Sequence, residues 1–265
     1  MASRSATTSS NSIARRFEDL KSESRRALVG YLTAGFPDAS RSLDCLRALD
    51  EGGADVIELG VPFSDPIADG PVIQASSQRA LSQGMTFEKT LEIAAAAATK
   101  APIVLFSYLN PVLAAGQEAL TRAADAGVSG ILITDLPVGS DSQRESWLAA
   151  GPLSFIRLVA PTTPRERMAE IAKHGSGFVY LISRLGVTGA TDSAPERLRE
   201  TVELLRSTTS LPICAGFGIS TPEQAKHVAS IADGVVVGSA LVTAAAASAD
   251  SVLRLTSELR AAIDD

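Results

Sequence analysis

A glutamate at the end of an apolar run, followed by two aspartates in a Pro- and Gly-rich loop, is the stretch of this chain best suited to proton chemistry. It reads Glu58-Leu59-Gly60-Val61-Pro62-Phe63-Ser64-Asp65-Pro66-Ile67-Ala68-Asp69-Gly70-Pro71. The run Val56-Ile57-Glu58-Leu59 has strand character, and alternation puts Val56 and Glu58 on one face, opposite Ile57 and Leu59. If that face lines a closed sheet, Glu58 projects into its mouth. Loss of water there raises a carboxyl's pKa toward the range useful for general acid–base work. The bland alternative is a carboxylate that accepts backbone or hydroxyl hydrogen bonds and only orders the loop. Asp65, in Ser64-Asp65-Pro66, suits an Asx turn. Asp69 lies ahead of Gly70-Pro71 and a helical stretch over Val72–Ser82, so it suits an N-terminal cap as well as a catalyst, and spacing does not choose between them.

Three other segments carry groups that suit a ligand. Tyr180-Leu181-Ile182-Ser183-Arg184-Leu185-Gly186-Val187-Thr188-Gly189-Ala190-Thr191-Asp192 is a strand running into a long polar loop whose length and Arg and Thr content suit a lid. Ala215-Gly216-Phe217-Gly218-Ile219-Ser220 and Val237-Gly238-Ser239-Ala240 are Gly-rich strand ends that open onto helix starts at Pro222 and Ala240. Glycine permits close approach of a ligand, and helix-start N–H groups suit a phosphate; tight turns with no ligand are the alternative. His174 and His227 fall near helix ends and read as surface or capping residues, which leaves no basis for a His triad or a metal cluster. Cys45 and Cys214 fit no metal or redox spacing and read as buried thiols in a reducing cytosol.

The elements that must position these groups alternate along the whole chain. Apolar strand candidates are Ala27–Thr33, Ala54–Gly60, Pro102–Tyr108, Gly130–Asp135, Ser154–Val159, Gly177–Ser183, Leu211–Gly216 and Gly234–Gly238. They are near-continuously apolar, as strands covered on both faces are. Helical stretches fall between them at Ser40–Leu49, Phe87–Lys100, Gln117–Ala126, Ser142–Ala150, Pro164–His174, Pro195–Ser207, Pro222–Ile231 and Ser251–Ile263. Eight such units predict an α/β fold, a (β/α)8 TIM barrel, in one catalytic domain over residues 13–265. The Gly-rich strands are then the seventh and eighth, where barrels often bind phosphate. A doubly wound sheet would want a Gly-rich phosphate turn after the first strand, which Thr33-Ala34-Gly35-Phe36-Pro37 is not. An extra helix over Ile13–Leu20 precedes the first strand and can plug one end of the barrel. Residues 1–12 are Ser/Thr-rich and read as a disordered tail rather than a targeting peptide. A net charge of −6 gives no footprint for nucleic acid, and no apolar run approaches bilayer-spanning length.

The pattern resembles the tryptophan synthase α-subunit family. The resemblance is carried by Tyr31-Leu32-Thr33-Ala34-Gly35, Glu58 through Pro71, Tyr108-Leu109-Asn110-Pro111, Asp135-Leu136-Pro137, Ser183 through Ala190, Gly216 through Ser220, and Gly238-Ser239, in order from about Ile13 onward. It implies a lyase that cleaves indole-3-glycerol phosphate to indole and glyceraldehyde 3-phosphate without metal or organic cofactor. It implies Glu58 as the acid–base residue and Asp69 as the carboxylate facing the indole N–H. Thr188 would bond Asp69 on lid closure, with Arg184 ordering the lid. Gly189, Gly218, Gly238 and Ser239 would hold the phosphate, and Tyr31, Tyr108, Leu132, Tyr180 and Phe217 would surround the ring and glycerol chain. The resemblance also implies a cytoplasmic β-subunit partner in an α2β2 assembly, met by the Ser64–Ala68 loop and the Asn110–Pro111 region. A stand-alone lyase, a silent barrel that only activates a partner, and a sugar-phosphate isomerase are the competing readings. Arg157, in mid-strand beside Ile156 and Leu158, departs from the expected apolar outward face.

Overall fold

A computed structural model describes residues 10–182, 193–216 and 218–265. Eight parallel strands close on themselves in chain order: β1 (Ala27–Thr33), β2 (Val56–Gly60), β3 (Ile103–Ser107), β4 (Val128–Ile133), β5 (Ser154–Val159), β6 (Val179–Ile182), β7 (Ile213–Gly216) and β8 (Gly234–Val237), with β8 pairing back onto β1. The helices are α1 (Ser10–Ser22), α2 (Ala39–Glu51), α3 (Pro71–Ser82), α4 (Phe87–Ala97), α5 (Leu109–Ala114), α6 (Ala119–Asp125), α7 (Ser142–Ala150), α8 (Arg165–Lys173), α9 (Ser193–Arg206), α10 (Pro222–Ala229), α11 (Ser239–Ala247) and α12 (Ala249–Asp264). This is the expected (β/α)8 barrel with an N-terminal helix. Local chemistry starts the helices promptly after their loops. Asp38, Thr86, Asp141 and Ser248 each accept a backbone N–H as N-caps, and Thr221 with Gln224 forms a capping box.

Alternation along each strand separates two cores. Ile57, Leu59, Ile131 and Phe155 join the layer between sheet and helices, while Ala27, Val29, Val56, Val104, Leu132, Ile156, Phe178, Cys214 and Val236 fill the barrel. Ile13, Phe17 and Leu20 of α1 pack into that interior, so the helix does plug the barrel. It starts at Ser10 and takes in three residues that the sequence reading leaves in the tail.

A buried carboxylate ties the plug down. Asp55, just ahead of β2, accepts the Leu28 N–H at 2.7 Å and Arg260 Nη1 of α12 at 2.8 Å, and is also bonded by Arg16 of α1. Arg260 in turn holds Asp264. Removing one partner of a buried pair leaves the other charge uncompensated. Asp55→Ala is therefore expected to lower unfolding free energy by about 3–5 kcal/mol, read from urea denaturation midpoints; a loss under about 1 kcal/mol would show that the network does not anchor the plug.

Some other placements differ from the sequence reading or complete it. Leu109–Ala114 forms a short helix where only a loop motif is legible, since six residues are too few to show a period. Arg157 does face outward, but it is buried. Its guanidinium stacks on Phe155 at 3.8 Å, pairs with Glu145 of α7 at 3.0 Å and donates to the carbonyls of Leu136 and His174. His174 is an exposed C-cap as expected, whereas His227 is half-buried and its Nε2 is enclosed with no partner among the described residues, because α10 is covered by α12 as well as by β8.

Candidate active site

Glu58 is 1% exposed and stands on the interior face of β2, level with Tyr31 of β1 and one step beyond Val56. Its Oε1 is enclosed with no hydrogen-bond partner among the described residues. Burial pushes its pKa up to about 8. At neutral pH the group is mostly a protonated acid that can also return as a base.

Asp69 is half-buried in the loop between β2 and α3. The N-cap of α3 is Gly70, with no side-chain cap bond, so Asp69 is not the cap that its position allows. Burial raises its pKa to about 6, against the lowering effect of the Tyr108 hydroxyl. Asp65 is exposed and takes the Ser64 hydroxyl at 2.5 Å, a local role. Gln74 of α3 fastens the loop by donating to the carbonyls of Asp69 and Pro66. Ile67, at its tip, is 86% exposed.

Aromatic side chains form the wall around the two acids. Tyr31 stands edge-on to Phe106 at 5.3 Å, and Tyr108 lies against Phe63 at 4.9 Å. Both Glu58 and Asp69 raise the pKa of the Tyr31 phenol, after the larger effect of burial, so both charges act on the same side chain. Gly60 is required for this arrangement, since a Cβ there would lie 2.0 Å from the Tyr31 hydroxyl. That hydroxyl meets Thr33 Oγ1 at 3.4 Å, Thr33 Oγ1 meets Ser76 Oγ at 2.7 Å, and Ser76 donates to the Ile73 carbonyl at 2.8 Å. A hydroxyl has one proton, so the terminal carbonyl sets the direction of the whole chain. Tyr31 donates to Thr33 and leaves only lone pairs for a ligand.

Tyr180 borders the interior cluster, whereas Leu132 is fully buried within it and can only be floor. Phe106 and Leu158, which the sequence reading leaves out, border the same cluster; each lies two residues beyond an interior residue, Val104 and Ile156, and alternation would have found them. Thr33 and Ser76 carry no such signal, because their pairing depends on how α3 lies against β1. Gly218 has φ of +75° with open space around its Cβ position, and Gly238 is the N-cap of α11, whose first residue, Ser239, is exposed. Arg184, Thr188, Gly189 and Phe217 lie outside the described residues. No helix among the described residues is long and apolar enough to cross a membrane.

Comparison with known proteins agrees with this geometry. The family described as "Tryptophan synthase alpha chain" matches residues 17–263. A tryptophan synthase alpha chain from Desulfatibacillum aliphaticivorans is 51% identical over 227 residues, 84% of this chain and 86% of that protein. Among solved structures, the tryptophan synthase alpha subunit of Legionella pneumophila is 34% identical with a TM-score of 0.87, over 96% of this chain and 98% of its own. A tryptophan synthase from Mycobacterium tuberculosis in an aminoacrylate-bound form is 35% identical with a TM-score of 0.86, over 95% of this chain and 99% of that one. A buried acid at the barrel mouth with an oxygen unpaired among the described residues, a second acid in the loop that follows it and a match along nearly the whole chain lead to one conclusion: the chain belongs to the tryptophan synthase alpha chain family.

Proposed function

We propose that this chain is the lyase of that family, cleaving indole-3-glycerol phosphate to indole and glyceraldehyde 3-phosphate as the α subunit of a cytoplasmic α2β2 tryptophan synthase. The observation that carries the reading is Glu58, a buried acid with an unpaired oxygen and a raised pKa at the mouth of the barrel. Protonated Glu58 delivers its proton to indole C3, turning the ring into an iminium-like electron acceptor. Ionised Asp69 faces N1 and stabilises the positive charge that develops there. Glu58, now a carboxylate, takes the proton of the glycerol hydroxyl next to the ring. The C–C bond breaks, its electrons return to the ring, and indole leaves with an aldehyde, Glu58 ending protonated as it began. The lid from Ser183 to Ala190, with Arg184 and Thr188, closes over this site in the same reading. The phosphate is held by Gly189, Gly218, Gly238 and Ser239. The exposed Ile67 supports the loop between β2 and α3, with Asn110 and Pro111 of α5, as the face that meets the β subunit.

The test is indole release with and without a purified β subunit across pH. The active form needs Asp69 ionised and Glu58 protonated, so kcat/KM is expected to rise through about pH 6 and fall through about pH 8. A strong increase on adding the β subunit supports the α-subunit role; high turnover without it favours a stand-alone lyase, and none under either condition rejects the lyase.

A further inference from the structure

The fold holds Asp69 from a direction that the loop's own sequence does not show. Helix α5 is only six residues long, and Tyr108, its N-cap, makes no side-chain cap bond. The first N–H groups of a helix lack internal partners. The Leu109 N–H finds one across the barrel rim: Asp135 Oδ1, just past the end of β4, at 2.7 Å. That bond fixes the residue from which the Tyr108 ring departs. The ring is buried against Phe63, and its oxygen accepts the Ala68 N–H at 2.8 Å. The same oxygen acts on the Asp69 carboxylate, the neighbour of Ala68, and lowers its pKa, with the Thr134 hydroxyl a further neighbour of the phenol. Gln74 ties down only carbonyl oxygens of this loop, whereas Tyr108 holds the backbone N–H beside the functional carboxylate.

We propose that Asp135 is a positioning residue for Asp69, acting through the Leu109 N–H and the Tyr108 hydroxyl to set the carboxylate that faces the reacting ring. Its consequence for catalysis rests on the lyase reading, but the geometry does not. Asp135 is exposed; it works by joining the end of β4 to the start of α5, and α5 to the loop between β2 and α3. Among the described residues, the titratable groups that act with Asp69 are the phenols of Tyr108 and Tyr31.

The experiment follows the Asp69 side-chain carboxyl by carbon NMR across pH in the full chain and in three variants. The native group titrates near 6. Tyr108→Phe keeps the ring and removes the donor, so the midpoint rises, by about half a unit or more. Asp135→Ala, which removes only an exposed acceptor, gives a rise of the same sign, while Asp135→Asn, whose amide oxygen still accepts the Leu109 N–H, restores the native midpoint. In the lyase assay Asp135→Ala is expected to lower kcat by roughly tenfold with little change in KM, since misplacement of one group costs the chemical step more than binding. An Asp69 midpoint unmoved by Asp135→Ala, or one that Asp135→Asn fails to restore, overturns the proposal. A native chain that releases no indole would overturn the lyase reading alone, because the titration needs no turnover.

Discussion

Glu58→Gln is expected to lower kcat for indole release by at least ~10²-fold, the usual scale for loss of a general acid–base group, and to make the folded chain more stable at pH 8. The two effects have one cause. The amide side chain keeps the size of the native carboxyl and a polar atom in each of its two positions, but it has no proton to give or take. In the native chain the folded pKa is about 8 against an ordinary value of 4.5, so the folded state binds more protons than the unfolded state between those limits. Stability from this group is fully present below pH 4.5 and is lost as pH rises through about 8, where burial must accommodate a carboxylate with one oxygen unpaired among the described residues. An amide does not ionise, so the advantage of the Glu58→Gln variant over the native chain grows across that window, to a magnitude on the order of a few kcal/mol. Urea denaturation at pH 5 and pH 8 reads the second effect, and the indole assay reads the first. A retained rate would remove Glu58 from the chemistry. A stability difference that does not widen between the two pH values would show that the carboxylate has partners in solution.

How far this site was legible before the fold depends on whether a residue's role is set along the chain or across it. The strands β1 and β5 fall on the predicted residues because their apolar runs have sharp ends, and the inward face of Glu58 follows from alternation alone. Phe87–Lys100 is longer as a sequence pattern than the helix, which stops at Ala97 with Ala98 in a left-handed conformation; an alanine run carries no stop signal of its own. The choice between cap and catalyst at Asp69 needed the residue at which α3 begins, and helix starts are uncertain by a residue or two when Gly and Pro adjoin. Contacts across elements left no trace in either segment. Ser76 reaches Thr33, Asp135 reaches Leu109 and Glu145 reaches Arg157 only because the barrel closes and its helices lie back on it. Arg157 is the clearest case, since nothing along its strand names a partner and only the packing of α7 supplies Glu145.

Gly238→Asp should weaken phosphate binding strongly without unfolding the barrel, through its carboxylate rather than through a clash at the Cβ. A clash at the Cβ would be the simplest other cause of such a result. The space around Gly238 does not supply it, because a Cβ there would sit 3.7 Å from Tyr31 Cβ and 3.9 Å from Ile73 Cδ1, both ordinary contacts. Gly238→Ala is therefore expected to keep affinity for glyceraldehyde 3-phosphate within about tenfold. An aspartate at the N-cap of α11 behaves differently. Its carboxylate bonds the free N–H groups of the first turn, the donors that a phosphate would use, and caps the helix at least as well as glycine does. A phosphate brought to about 4 Å from that charge meets a repulsion on the order of 4 kcal/mol in a partly solvated site, so affinity should fall by at least ~10²-fold. Calorimetric titration of each variant with glyceraldehyde 3-phosphate, alongside its denaturation midpoint, separates the two causes. Equal loss in Gly238→Ala and Gly238→Asp would mean that the backbone itself must change shape to admit the ligand. Unchanged affinity in Gly238→Asp would place the phosphate away from the start of α11, and with it the glycerol chain whose hydroxyl Glu58 is proposed to deprotonate.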